Sequence, residues 1–144
     1  MADDSGKKKG PVRFLSGVQP SGRLHLGNYF GALRQHIALQ DEGEAFYFIA
    51  NFHAMTTVQE REVLEGQTLD VALDYLALGL DPAKAVFFRQ SDVPEVAELA
   101  WVLSAVTAKG LLDRATSYKD KVQRGIAASV GLYYYPMLMA ADIL

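Results

Sequence analysis

The chain has no cysteine, which excludes a disulfide framework and a thiolate metal site. Histidine is scarce as well. His25, His36 and His53 are the three present, and they are too dispersed to read as a zinc cluster. Neither sign of charge dominates: 14 Lys and Arg face 17 Asp and Glu, a formal net charge of −3. No global basic field therefore draws in nucleic acid. Long apolar runs are missing too. The stretch from Ile126 to Val130 is too short to span a bilayer, and the one from Leu132 to Leu144 is broken by polar residues. No charged-then-apolar leader opens the sequence. Together these absences lead us to expect a soluble, cytoplasmic protein of a reducing compartment.

What is present suits a packed globule. Half of the 144 residues are hydrophobic and 22% are charged, enough for one core and too few for two. Residues 1–11, MADDSGKKKGP, have nothing to bury and read as a disordered tail whose lysines are solvated. The pattern changes at Val12, and residues 12–144 form the expected domain. Val12, Phe14 and Leu15 make a short strand, ended by Ser16-Gly17 and the turn-forming Gln19-Pro20-Ser21-Gly22. Leu26, Tyr29, Phe30, Leu33 and Ile37 fall at helical spacing. Ala45 to Ala50 is apolar on both faces and fits a buried parallel strand.

Further on, Leu69, Ala72, Leu73, Leu76 and Leu80 predict the buried stripe of a surface helix. Ala85 to Arg89 is a third strand, and Asp92-Val93-Pro94-Glu95 reads as a capping box opening a helix with Val96, Leu99, Ala100, Leu103 and Val106. Lys109 to Gly131 is polar with one short helical stretch. Leu132 to Leu144 is apolar again, and helical beyond Pro136. Strand and helix alternate, so the expected fold is α/β, a Rossmann-like parallel sheet with flanking helices. The sequence stops at Asp142-Ile143-Leu144 inside an apolar helical pattern without a cap, and we expect a domain incomplete at its C-terminus, the front part of a longer protein.

The chemistry concentrates in Phe14 to Ala32, FLSGVQPSGRLHLGNYFGA. A strand runs into a Gly/Pro/Ser turn and then a glycine-asparagine pair at a helix start. In a parallel sheet, phosphates meet backbone N–H groups and the helix dipole there. His25 and Asn28, three apart, can present N–H donors side by side to an oxygen gaining negative charge. Spacing alone equally allows a tight connection whose polar residues merely cap the helix.

The segment Pro20 to Asn28, PSGRLHLGN, resembles the HIGH signature of class I aminoacyl-tRNA synthetases, with His25-Leu26-Gly27-Asn28 at the signature itself. The wider string SGVQPSGRLHLGNYFGALRQ is similar to the tryptophanyl-tRNA synthetase subgroup. So are His53-Ala54-Met55-Thr56, Leu80-Asp81-Pro82, Gln90-Ser91-Asp92-Val93-Pro94 and the run from Tyr135 to Leu144. These matches come in order, at family-like spacing, from about Phe14 to the last residue.

The resemblance implies roles. Gln19, Pro20, Ser21, Gly27 and Asn28 match the ATP-contacting segment, with His25, Asn28 and Lys121 acting on the transferring phosphate. Asp142 matches the carboxylate that reads the indole N–H. An indole nitrogen only donates, so an ionised acceptor is its logical reader. Met139 and Tyr135 share the face of Asp142, Gly17 and Leu15 form the opposite wall, and His53 stands beside the substrate. Leu15 departs from the Phe common in the family, and Asn51-Phe52 stand where bacterial relatives have Asp-Gln. Lys119 and Lys121 are spaced, in a polar loop, like lysines near the triphosphate in relatives. His36 caps or faces solvent and has no role.

The implied reaction is activation of L-tryptophan by ATP, with Mg²⁺ held mostly by the phosphates and no protein metal site. Transfer to tRNA(Trp) follows, in a homodimer with Trp101, Val102 and Ala105 as partner surface and with no membrane role. Tyrosyl-tRNA synthetase, or a small adenylyl or cytidylyl transferase, is the rival enzyme reading, which the Gln-Pro-Ser and Met-Ala-Ala-Asp strings oppose. A non-catalytic tryptophan-binding module is the rival of another class. The family's Lys-Met-Ser-Lys-Ser signature and its anticodon-reading helices are not among these residues.

Overall fold

The structure is a computed structural model that describes residues 10–125 and 128–144; most of the expected tail lies outside them. Three parallel strands, β1 (Arg13–Val18), β2 (Glu44–Ile49) and β3 (Ala85–Arg89), pair in the order β1-β2-β3. The register runs from Arg13↔Glu44 to Val18↔Ile49 and from Ala45↔Ala85 to Ile49↔Arg89. β2 is central because its sequence is apolar on both faces, which only a doubly covered strand tolerates.

Strand alternation divides the sheet into two working faces. On one, Ala45, Tyr47 and Ile49 join Ala85, Val71, Tyr75, Leu33 and Leu80 in the main core, with Val18 and Phe87 packed against it. The other face carries Leu15, Gly17, Phe48 and Phe88. β1 runs three residues past Leu15, through the expected break at Ser16-Gly17, to Val18. Gly17 stays in the ladder because a Cβ there would lie 2.5 Å from two ring atoms of Phe48.

Helical backbone begins with α1 (Leu26–Asn28), passes through a π-helical turn (Tyr29–Leu33) and continues as α2 (Arg34–Leu39). The wide turn shifts the phase of the side chains. Leu26 and Phe30 are left exposed, although their spacing had placed them on the core stripe, and Leu33, His36 and Gln40 become the buried set. His36 therefore neither caps nor meets solvent. It stacks on Tyr47 at 4.7 Å, its Nδ1 lies 2.7 Å from the Tyr75 hydroxyl, and Tyr47 Oη donates to its carbonyl.

A one-turn α3 (Asn51–Ala54) follows β2, and α4 (Arg61–Ala77) covers the core face. The buried stripe of α4 is Thr68, Val71 and Tyr75, a correction to the expected leucine stripe: Leu69, Leu73 and Leu76 are exposed. After β3, Gln90–Asp92 form a 3₁₀ turn. Asp92 caps that turn by accepting from the Arg89 N–H at 3.0 Å, and does not open the next helix. That helix, α5 (Glu95–Val106), starts after Pro94 with no side-chain cap.

Two short helices, α6 (Lys109–Asp113) and α7 (Thr116–Gln123), occupy the region expected to hold one. α8 (Val130–Ile143) begins well before Pro136, because Ser129 Oγ accepts from the Leu132 N–H at 3.0 Å and Leu132 is fully buried. The cap and that anchor outweigh the one intrahelical bond a proline forfeits. α5 and α8 cover the second face of the sheet.

Candidate functional site

An open cleft of about 340 Å³ lies at the carboxyl ends of the strands, between the second sheet face and α8. This is where open parallel sheets bind ligands, and the volume falls in the usual small-molecule range of about 300–1,000 Å³. Leu15, Gly17, His53, Tyr135, Met139 and Asp142 all line it. β1 supplies Leu15 and Gly17 by its period of two, and α8 supplies Tyr135, Met139 and Asp142 by its helical repeat. Phe48, Ala50 and Ile143 complete largely apolar walls, so a flat hydrophobic ring finds few competing polar groups. Leu15 leaves its wall of the cleft without an aromatic face.

The polar end is built around Asp142, whose side chain is only 6% exposed. Both its oxygens accept from Gln90 Nε2, at 2.7 and 2.9 Å, and His53 Nδ1 lies 3.8 Å away. Burial pushes the Asp142 carboxyl above the ordinary carboxylate range, while the Gln90 bond and the His53 charge pull it back. The His53 ring meets Tyr135 edge-on with centroids 6.0 Å apart. Gln90, 1% exposed, turns its Oε1 toward the start of α3 and accepts from the backbone N–H groups of Phe52 at 3.1 Å and His53 at 3.4 Å. Asn51 and Ser91 close the junction reciprocally. Asn51 Nδ2 donates to Ser91 Oγ at 2.8 Å, and the Ser91 N–H donates to Asn51 Oδ1 at 3.1 Å. The departure at Asn51 thus has a local task, joining the end of β2 to the end of β3.

The family resemblance includes Gln90 in the run Gln90-Ser91-Asp92-Val93-Pro94 and implies no role for it. Its signal was faint: a polar residue directly after AVFFR, where the strand's carboxyl end meets the cleft.

The HLGN segment forms a closed capping box. His25 Nδ1 accepts from the Gly27 N–H at 3.1 Å, and Asn28 Oδ1 accepts from the His25 N–H at 3.0 Å. The neutral imidazole therefore carries its proton on Nε2, and the Asn28 amide keeps its N–H₂ for another acceptor. Capping, one of the two alternatives in the sequence, is present, and it leaves His25 Nε2–H and the Asn28 N–H₂ unused by the cap. Gly27 allows the ring to fold back, since a Cβ would sit 2.9 Å from the imidazole.

The structure does not gather the whole ATP set into the cleft. Gln19 lines it, with its Nε2 3.5 Å from the His53 carbonyl. Pro20 is fully buried and acts in packing, and Ser21 is exposed. His25 lines a separate hollow beside α4, shared with Leu24, Tyr29 and Asp74. Lys119 and Lys121 lie on α7 and not in a loop; the Lys121 side chain is outside the described residues. Among the described residues no three His, Asp or Glu side chains are grouped to hold a metal, and no helix is long and apolar enough to cross a membrane.

A parallel sheet covered by helices on both faces, with a cleft at its carboxyl edge and a capped glycine-rich turn after β1, defines a Rossmann-like α/β domain. Fold alone does not choose among the many activities such domains host. The chain belongs to the class I tRNA synthetase family of the tryptophan and tyrosine type, whose family model matches residues 7–144. It is 59% identical over 133 residues to the tryptophan–tRNA ligase of Rhodopirellula baltica, covering 92% of this chain and 42% of that protein. The Fusobacterium nucleatum tryptophan–tRNA ligase is 56% identical over 132 residues, covering 92% and 41%. A crystal structure of the Campylobacter jejuni tryptophanyl-tRNA synthetase complexed with ADP and tryptophan superposes with a TM-score of 0.89 at 57% identity, covering 92% of this chain and 42% of that one. The chain spans about two fifths of the length of these relatives.

Proposed function

We propose that this chain is the amino-acid- and nucleotide-handling part of a tryptophan–tRNA ligase, which activates L-tryptophan with ATP and transfers it to tRNA(Trp). One observation carries the reading: a buried acceptor, Asp142, stands at the end of an apolar cleft otherwise suited to a flat ring. The ligands named for the Campylobacter jejuni structure agree with it. Leu15, Gly17, Met139 and Tyr135 enclose the indole, Asp142 accepts its N–H, and His53 stands on the Asp142 side of the ring.

The tryptophan carboxylate attacks the α-phosphorus of ATP, the bond to the bridging oxygen breaks, and pyrophosphate leaves. No covalent enzyme intermediate is needed, so positioning and neutralisation of spread charge supply the rate. Gln19, Pro20, Ser21 and Gly27 form the ATP-side segment: Gln19 reaches the cleft, Pro20 stiffens the turn, and Gly27 leaves room for the His25 ring. His25 Nε2–H and the Asn28 amide donate to phosphate oxygens, with Lys121 as a further cation. Mg²⁺ would accompany ATP, held mostly by its phosphates, where it would help neutralise the charge of the leaving pyrophosphate. The enzyme works in the cytoplasm as a homodimer, whose partner surface includes Trp101, Val102 and Ala105 of α5.

Asp142→Asn at full natural length tests the reading. A buried N–H left facing an N–H costs roughly 2–3 kcal/mol, so the tryptophan KM in pyrophosphate exchange should rise about 30-fold or more while the ATP KM holds. Equal changes in both would remove Asp142 from ring recognition.

A further inference from the structure

We propose that Gln90 is the positioning residue that sets the Asp142 carboxylate for the indole N–H, so that discrimination against rings lacking that N–H runs through Gln90. The proposal rests on the reading of Asp142 above and deepens it.

An aspartate carboxylate turns easily about its last torsion, because that rotation is broad and two-fold. In a cleft walled by Leu15, Phe48 and Met139 few donors would hold it. Gln90 does so by placing one amide nitrogen against both oxygens, at 2.7 and 2.9 Å. Which end of the Gln90 amide faces Asp142 is fixed by its other neighbours. Two backbone N–H groups, of Phe52 and His53, point at Oε1. Turning the amide over would set N–H₂ against those two donors and a carbonyl against a carboxylate, a loss at both ends. Gln90 is itself immobile, 1% exposed, at a junction the Asn51–Ser91 pair holds shut.

An ionised carboxylate offers about four lone-pair sites, and the amide takes two of them. Those that remain accept and do not donate, which suits a ring N–H. Without Gln90 the carboxylate is free to turn toward His53, 3.8 Å away, and its protonated form would offer an O–H where an acceptor is required. The titratable groups that line cavities with Asp142 are His53 from α3, Tyr135 from α8 and, on the side facing α5, Glu95; Leu15, Ser16 and Gly17 of β1 and the following Gln19 do not titrate.

The test uses the enzyme at its full natural length and two ligands, tryptophan and its benzothiophene analogue, in which sulfur replaces the ring N–H. Direct binding of each gives a preference ratio within one protein, so lost folded protein cancels. The wild type should favour tryptophan by about 10-fold or more, as expected for a hydrogen bond to a charged acceptor. In Gln90→Met the ratio should fall to within about threefold of unity, chiefly through weaker tryptophan binding. In the isosteric Gln90→Glu the ratio should recover at low pH, where one proton is shared between the two carboxylates and the Glu O–H replaces the amide N–H, and fall as pH rises and that proton is lost. A packing role would shift both ligands alike and leave the ratio independent of pH.

If Gln90→Met keeps the wild-type ratio, the positioning role is overturned. If Gln90→Met does not fold, the Gln90→Glu profile decides, and a flat profile overturns it. A wild type with no preference overturns instead the reading of Asp142, and this proposal with it.

Discussion

Gly17→Ala tests the sheet geometry and the cleft together. A Cβ on residue 17 would meet three ring atoms of Phe48, at 2.5, 2.5 and 3.0 Å, where carbon atoms ordinarily rest about 3.5–4.0 Å apart. The ring must therefore retreat by roughly 1 Å. It has little space, being 7% exposed with the Phe88 ring centroid 5.7 Å away at 30°. Overpacking of this kind costs about 1–3 kcal/mol, less up to about 1 kcal/mol regained because alanine restricts the unfolded chain more than glycine does. The middles of those ranges leave a net loss of about 1.5 kcal/mol, visible as a lower urea midpoint by far-ultraviolet circular dichroism with an unchanged slope. Phe48 also walls the cleft, so tryptophan KM should rise while ATP KM holds. Adding Phe48→Leu should restore part of the midpoint, since the smaller side chain vacates the contested space. An unshifted midpoint and unchanged tryptophan KM in Gly17→Ala would refute the packing argument.

His25→Ala and Asn28→Ala should each slow pyrophosphate exchange about 100-fold with tryptophan KM nearly constant, because donors aimed at the transferring phosphate act in the transition state; weaker tryptophan binding at unchanged exchange would place the HLGN turn elsewhere. Trp101 is 73% exposed on this chain beside exposed Val102 and Val106, and Trp101→Glu should push the full-length enzyme toward monomer in sedimentation; an intact dimer would move the interface off α5. Burial holds His36 below its ordinary value, so the unfolded chain takes up the proton first as pH falls below about 6.5, and stability declines there by at most about 1.4 kcal/mol per pH unit. In His36→Gln the fall in urea midpoint between pH 7 and pH 5.5 should be shallower, and an identical fall would assign the effect to other groups.

How far the sequence could be read depends on whether a feature is local. The strands were legible within a few residues because apolar runs and Gly/Pro punctuation are carried by adjacent positions. The six cleft residues were legible through family resemblance, and the structure brings all six to one cleft. The buried face of α4 was not. Leucine spacing favoured Leu69, Leu73 and Leu76, but burial went to Thr68, Val71 and Tyr75. Thr68 tolerates burial because its hydroxyl donates to the Leu64 carbonyl at 2.7 Å, and Tyr75 because its hydroxyl finds His36, 39 residues away. A hydrogen bond that satisfies a buried polar group, to the preceding turn for Thr68 or to a distant residue for Tyr75, leaves no apolar periodicity, and Gln90, with partners on α3 and α8, escapes for the same reason. The π-helical turn escaped differently, as a single widening that no helical wheel contains.

Tyr47 and Phe48 show why stability and recognition can be separated in so small a sheet. They are neighbours on β2 and point to opposite faces. Tyr47 lies in the main core, stacked on His36 and donating to its carbonyl, so the helices that cover that face are tied to the central strand. Phe48 looks the other way, into the cleft and against Gly17. The polar chemistry is displaced further along the same direction, to residues that follow the strands: Ala50 to His53 after β2 and Gln90 to Ser91 after β3. Each strand thus gives its pleated length to packing and to the apolar wall of the cleft, and the polar groups come where the ladder ends and backbone donors come free. The Phe52 and His53 N–H groups are two of those donors, and Gln90 uses them to hold its amide. The Asp142 carboxylate is therefore held from the ends of β2 and β3, although it is carried on α8.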